Sequence, residues 1–332
     1  PDEVCMEFGT RRAHEFDAAI WGTRASIIGG FDATSNVKAA KLFNIPCSGT
    51  HAHSFVQAYE DEEVAFKKYA AAHKDCYFLV DTYDTLRSGI PTAIKVADEL
   101  KDKINFHGIR LDSGDIAYLS KEARKMLDEA GYPNAKIVAS NDLDEDTITH
   151  LKQEGACIDA WGVGTKLITA YDNPALGAVY KLACLENDNG EMIDRLKVSE
   201  NPAKLTVPGV KRIYRIINTD TGMAAGDYIA LENEDVNAEQ SIKLFHPTHT
   251  YLAKEVDNFK AIDIHEDIFV DGKQVYEVPT VQESAKYFQQ NKGLLWNEYL
   301  RLLNPEFYPV DLSTKCWENR KEILERVTKK SK

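Results

Sequence analysis

Between residues 25 and 182 short apolar runs alternate with amphipathic stretches, and this alternation limits the folds open to the chain more than any other feature. The runs lie at 25–28, 44–47, 76–80, 104–109, 136–139 and 160–163. Between them fall helical patterns at 36–43, 61–72, 91–100, 119–130 and 144–154; in the second, Val64, Phe66, Tyr69 and Ala70 recur at helical spacing. Strands buried on both faces read as continuous apolar runs, and strand–helix alternation implies a parallel sheet. Six such units favour a closed α/β barrel over a short open sheet.

Most of the runs end in polar or small residues. Residues 45–47 lead to Ser48-Gly49-Thr50-His51-Ala52-His53, and 78–80 to Asp81-Thr82-Tyr83-Asp84. Residues 106–109 lead to Arg110-Leu111-Asp112-Ser113-Gly114-Asp115, 137–139 to Ser140-Asn141-Asp142, and 160–163 to Gly164-Thr165-Lys166. Barrel active sites are assembled from the C-terminal ends of several strands, so five consecutive units of this kind point to an enzyme.

After about residue 186 the pattern changes. Segments 213–218, 228–232, 251–255 and 268–276 read as strands, with turns at 219–222 and at Asp271-Gly272, and 281–303 reads as helical. The expected division is therefore 1–185, a catalytic α/β region, and 186–332, a smaller β-rich and helical part of a second α/β domain. Residues 329–332 read as a solvated tail.

The net charge is −13, which argues against a general nucleic-acid binder or a membrane-surface binder, since either needs a basic face. No uninterrupted apolar stretch reaches the ~18 residues of a membrane span, and the opening Pro1-Asp2-Glu3-Val4-Cys5 lacks a signal-peptide pattern. Six scattered cysteines with no C-x-x-C pair fit reduced thiols in the cytoplasm.

Each motif carries a plain reading beside a functional one. In the 110–115 motif a strand-end Asp can grip ribose hydroxyls or a metal and the Arg can clamp an anion, yet Ser113 and Asp115 are also ordinary helix caps. Gly162-Val163-Gly164-Thr165-Lys166 can admit phosphate to free backbone N–H groups, or be a tight turn; it lacks P-loop spacing. Glu7-Phe8-Gly9-Thr10-Arg11-Arg12 sets two cations beside an aromatic, suited to a flat anionic ring or to a solvent-facing basic pair. His51-Ala52-His53 stays open. If it lies on a strand the two rings share a face and could grip one metal, as in a barrel metallohydrolase; a reactive His and a structural His are the other readings. His107 within a strand and His150 within a helix are poorly placed to add metal ligands.

Together these residues resemble the nicotinate phosphoribosyltransferases, members of the type II phosphoribosyltransferases. The matching stretches are 7–13 (EFGTRRA), 29–37 (GGFDATSNV), 49–55 (GTHAHSF), 81–84 (DTYD), 110–115 (RLDSGD), 140–143 (SNDL), 162–167 (GVGTKL) and 302–309 (LLNPEFYP), in family order over nearly the whole chain. The resemblance departs at the start, where family members carry a further N-terminal segment. That segment contributes to the second domain, to a dimer contact and to an aromatic on the pyridine ring, so an inactive truncated assembly fragment is a competing reading.

The resemblance implies an irregular TIM-like barrel and transfer of phosphoribosyl from 5-phosphoribosyl 1-diphosphate to nicotinate. The products are nicotinate mononucleotide and diphosphate, with Mg²⁺ present and ATP hydrolysis coupled through a phosphorylated histidine, in a cytoplasmic homodimer making NAD. By motif, His53 is the phosphorylated residue. Arg11 holds phosphate or diphosphate, and Phe8 packs on the pyridine ring, with Gly9 beside it. Arg110 meets the carboxylate or the reacting phosphates, and Asp81 and Asp112 take ribose hydroxyls or Mg²⁺. Ser140, Asn141, Gly162, Gly164 and Thr165 cradle the 5′-phosphate. Ser35 stands where the related nicotinamide enzymes carry Asp, which favours nicotinate over nicotinamide; nicotinamide or quinolinate transfer is the runner-up within the class.

Overall fold

The computed structural model describes residues 3–200, 205–246, 249 and 251–330. Two compact units emerge, Pro1–Leu176 with Pro279–Phe288, and Gly177–Val278 with Gln289–Lys332. The change falls at 176/177, against the expected 185/186.

The first unit runs β1 (Val4–Glu7), α1 (Phe16–Gly29), β2 (Ala33–Thr34), α2 (Val37–Phe43), α3 (His53–Gln57), α4 (Glu62–Ala72), β3 (Asp75–Leu79), α5 (Ile90–Glu99), β4 (Asn105–Leu111), α6 (Ile116–Glu129), β5 (Lys136–Ala139), α7 (Glu145–Gln153), β6 (Ala160–Val163) and α8 (Thr165–Ile168). One parallel sheet holds the order β2-β1-β6-β5-β4-β3. No ladder joins β2 to β3 among the described residues, so the irregular barrel is a curled half-barrel rather than a closed ring. The segment before α3 spans the gap. Cys47 bridges Thr34, the Ser48 amide donates to Thr34 O at 2.9 Å, and the Leu79 amide donates to His51 Nε2 at 3.2 Å.

Side chains alternate across a strand, and here the two parities have different surroundings. Phe78, Ile109, Leu111, Ile137, Ala139, Trp161 and Val163 pack outward against residues such as Phe66, Ala93, Val96, Ala123 and Leu127 of α4–α6. The opposite parity is small or sparse: Met6, Ala33, Val138 and Ala160, with Phe8 and Tyr77 against them. A hollow of about 520 Å³ remains beside these inward residues.

Two expected strands differ. Residues 25–28 belong to α1, which Glu15 caps by accepting from the Asp17 amide and which left-handed Gly30 (φ 114°) ends; the two isoleucines there pack as a helix face. Residues 44–47 form only the Cys47 bridge, because Asn44 is the left-handed cap of α2 (φ 51°) and Pro46 has no N–H to donate. The four-residue β1 lies outside the expected strands, though it sits in mid-sheet.

In the second unit β7 (Cys184–Glu186) pairs with β8 (Met192–Asp194). A sheet of order β13-β9-β10-β16 joins β9 (Lys211–Asn218), β10 (Ala224–Leu231), β13 (Phe259–Asp263) and β16 (Val310–Leu312). β11 (Ser241–Phe245) pairs with β12 (Ala253–Asp257), and β14 (Phe269–Val270) with β15 (Lys273–Gln274) across the expected turn. Ile216, Tyr228, Ala230, Ile242, Leu244 and Val256 form the core of this unit. The helical stretch resolves into α9 (Val281–Lys292), whose residues 281–288 belong to the first unit, and α10 (Asn297–Leu300), and then comes α11 (Thr314–Lys330). Of the expected tail, 329–330 continue α11 and 331–332 lie outside the described residues, as do residues 1–2 of the N-terminal stretch. No helix among the described residues is long and apolar enough to cross a membrane.

Candidate active site

The inward parity at the C-terminal ends of the strands carries the polar residues. Phe8, Arg11, Arg110, Asp112, Ser140, Asn141, Gly162, Gly164 and Thr165, all singled out by motif, line one pocket of about 140 Å³ with Arg12 and Asp142. Neighbouring strands β4, β5 and β6 bring the last loops together.

Glycine is needed at 162 because a Cβ there would meet the Phe8 ring at 2.5 Å. Gly9 lies beneath, where a Cβ would strike Gly164 O at 2.7 Å and Ile168. Asn141 holds φ 115°, a strained conformation for a residue with a side chain, of the kind that persists where surrounding structure enforces it.

Arg110 is the hub. Its Nε donates to Ser140 Oγ at 2.7 Å, Nη1 to Thr50 Oγ1 at 2.9 Å and Nη2 to Asp112 Oδ1 at 2.7 Å. The guanidinium also lies over the Phe8 ring, 5.3 Å from its centroid. Burial pushes the Asp112 carboxyl up, but the Arg110 charge, hydrogen bonds from Ser140 and Arg110, and the nearby His53 together hold it below the usual range. Asp81 Oδ2 accepts from the Asp112 amide at 2.8 Å and the Ser113 hydroxyl at 2.6 Å. Its Oδ1 is buried with no hydrogen-bond partner among the described residues.

His53 opens α3 and points at both carboxylates. Nε2 stands 3.5 Å from Asp112 Oδ2 and 3.8 Å from Asp81 Oδ1, while Nδ1 meets Thr82 Oγ1 at 3.1 Å. One edge of this ring therefore looks onto two acceptors, and the other is held by a hydroxyl.

His51 does not share that face, which corrects the shared-metal reading of His51 and His53. The segment turns into a helix at Ala52 instead of continuing as a strand, so the rings diverge. His51 is buried among Phe55, Phe66, Tyr69 and Phe78 and accepts the Leu79 amide through Nε2. Burial, aided by the charges of Arg110, His53 and His73 and opposed by a backbone hydrogen bond at Ala52, lowers its pKa to about 4. His107 lies in β4 and His150 in α7, in agreement with the sequence reading. Because the folded His51 binds its proton more weakly than the unfolded one, its contribution is complete above pH ~6.5 and is lost as pH falls toward about 4. That window is worth about 3 kcal/mol. Urea midpoints between pH 7 and pH 5 should fall more steeply for the natural protein than for His51→Gln; equal slopes in the two proteins would remove His51 as the cause.

Ser35 is exposed at the end of β2, its amide 2.9 Å from Glu7 O, and it does not line the pocket. Glu7, a residue with no role by sequence, is fully buried below the Phe8–Arg12 loop. One carboxylate oxygen accepts from the Gly9 amide, and the other accepts from Thr23 at 2.9 Å and Thr34 at 2.6 Å. Its only sequence signal is a charge ending an apolar strand, and that strand is too short to stand out. Thr50 and Thr82 sit inside motifs but have no role by sequence; their hydroxyls gain meaning only through Arg110 and His53.

Residues 4–198 match the nicotinate phosphoribosyltransferase (NAPRTase) family, and residues 210–320 match the nicotinate phosphoribosyltransferase C-terminal domain. The chain is 63% identical over 326 residues to a nicotinate phosphoribosyltransferase of Bacillus subtilis (strain 168), covering 98% of this chain and 66% of that protein. It is 32% identical over 372 residues to one of Caenorhabditis elegans, covering 94% and 65%. The chain thus spans just under two thirds of the length of these curated relatives. Its fold is similar to the crystal structure of human nicotinic acid phosphoribosyltransferase, with TM-score 0.80 and 26% identity over 97% of this chain and 71% of that one. With strand-end motifs, sheet and both regions in agreement, the chain belongs to the nicotinate phosphoribosyltransferase family.

Proposed function

We propose that this site joins nicotinate to the ribosyl carbon of 5-phosphoribosyl 1-diphosphate, forming nicotinate mononucleotide and diphosphate, with ATP hydrolysis coupled to the step. The observation that carries the reading is the adjacency of His53, Asp81 and Asp112 to the Arg110 pocket. As diphosphate leaves C1, positive charge develops on the ribosyl group and negative charge on the departing oxygens. Arg11 and Arg110 supply fixed positive charge for the latter. The pyridine nitrogen carries no proton, so its attack needs no general base. Phe8 offers a face for the ring, and Ser140, Asn141, Gly162, Gly164 and Thr165 bind the 5′-phosphate. Asp81, with its unpartnered buried oxygen, and Asp112 are donors suited to a hard divalent cation. They would hold Mg²⁺, which when bound neutralises the diphosphate.

His53 takes the terminal phosphoryl group of ATP. An N–P bond forms as the γ-P–O bond breaks and ADP leaves, and water later cleaves the N–P bond. With Nδ1 bonded to Thr82, Nε2, which faces Asp81 and Asp112, is the nitrogen left for this step. Six unpaired cysteines support a reducing, cytoplasmic setting, and the exposed Leu176, Val179 and Tyr180 support self-association as a homodimer.

Nicotinate mononucleotide formation from nicotinate and phosphoribosyl diphosphate with Mg²⁺, with and without ATP, tests the reading. ATP-stimulated product is expected. No product, and no rescue by an N-terminal segment from a relative, would overturn it; rescue by that segment would mark the present chain as the incomplete part of such an enzyme. Ser35 lies outside the Arg110 pocket but beside Gly49, which lines the larger hollow of the same unit. On the reading that the nicotinate carboxylate reaches this hollow, Ser35→Asp should raise the KM for nicotinate about tenfold or more. An unchanged KM would remove Ser35 from substrate choice.

A further inference from the structure

Thr50 has no part in the reaction just described, yet it closes a ring of contacts. Arg110 Nη1 donates to its hydroxyl at 2.9 Å, and that hydroxyl lies 3.1 Å from His51 O. Three residues on, His53 Nε2 stands 3.5 Å from Asp112, which Arg110 Nη2 holds at 2.7 Å. Arg110 therefore grips the histidine loop at Thr50 and the carboxylate facing the histidine at Asp112. The loop has little slack between those grips, because His51 is pinned in an aromatic pocket and bonded to the Leu79 amide.

We infer that Thr50 is a positioning residue that couples His53 to the anion pocket. A shift of the guanidinium when phosphate or diphosphate arrives moves Thr50 and Asp112 together, and so changes the setting of the His53 ring. In reverse, a charged phosphoryl group on His53 repels Asp81 and Asp112 and is felt at Arg110 through the same two bonds. Coupling of this kind needs a physical link that both sites bias, and the Thr50 hydroxyl is one. The inference rests on the reading of His53 as the residue phosphorylated by ATP.

Thr50→Val keeps the shape and removes the hydroxyl; Thr50→Ser keeps the hydroxyl. Product formation with and without ATP, ³²P transfer from γ-labelled ATP to the protein, and melting temperature would be measured on each. Thr50→Val is expected to melt like the natural protein, to keep ATP-independent transfer within about threefold, and to lose ATP stimulation by about tenfold, with Thr50→Ser restoring it. A purely structural role would depress both rates together and would overturn the inference, as would stimulation that survives in Thr50→Val. If Thr50→Val does not fold, Thr50→Ser against Thr50→Ala repeats the comparison. A natural protein that forms product but takes no label would defeat the phosphohistidine reading itself, and one that forms no product would defeat the transferase reading; both differ from the outcomes that count against Thr50.

Discussion

Arg110→Ala is expected to lower kcat/KM for nicotinate mononucleotide formation by about 10²–10³-fold, the cost of removing a pre-set charge aimed at developing negative charge. The guanidinium is mostly buried and holds Ser140, Thr50 and Asp112 at once, so the loss is greater than one contact. Asp112 would also lose the charge that keeps its carboxyl ionised against burial. The Arg110–Asp112 pair is only part-buried, so its loss costs less than the breaking of a fully buried pair, and a modest fall in melting temperature should accompany the kinetic loss. Arg110→Lys separates the two effects. It keeps the charge, but a single ammonium cannot reproduce a planar fork directed at three oxygens, so activity should remain low while stability partly returns. Retention of kcat/KM within about threefold in Arg110→Ala would show that the pocket does not carry the reaction.

His53→Ala should abolish stimulation by ATP and leave basal transfer measurable. On the proposed reading His53, whose Nε2 faces Asp81 and Asp112, takes the phosphoryl group, whereas attack on the ribosyl carbon comes from the pyridine nitrogen. The variant should also take up no label from γ-³²P ATP. Equal loss of both rates in a folded protein would make His53 part of the transfer chemistry. Stimulation that persists would remove it from the ATP step.

Much of this site is legible in the sequence because strand ends are chemically loud. Arg110, Asp112, Ser140, Asn141, Gly162, Gly164 and Thr165 lie in or just after apolar runs, and the sheet brings them into one pocket. Strands β5 and β6 fall on the expected residues, 136–139 and 160–163. Other features are hidden for physical reasons. β1 is four residues long and ends in Glu7, so its apolar signal is weak, and the charge that ends it is satisfied by Thr23 and Thr34 from distant segments. Residues 25–28 read as a strand because an apolar pair of isoleucines clusters there, while tertiary packing makes them one side of α1. The spacing of His51 and His53 allows a shared face, but the chain turns into α3 at Ala52 and His51 packs in an aromatic pocket assembled from distant residues, which leaves no mark in a short motif.

The alternation of side chains along β3–β6 has a consequence for how such a protein can change. Outward residues such as Ile109, Ile137 and Leu111 pack chiefly against the helices, and inward ones such as Arg110, Ser140 and Gly162 face the pocket. The two sets interleave residue by residue, yet share few neighbours, so substitutions in one should combine almost additively with substitutions in the other. Mutational drift can therefore explore new ligands on one parity while the other keeps the protein folded. A single-residue insertion within any of these strands has no such freedom, since it exchanges the two sets and loses both at once.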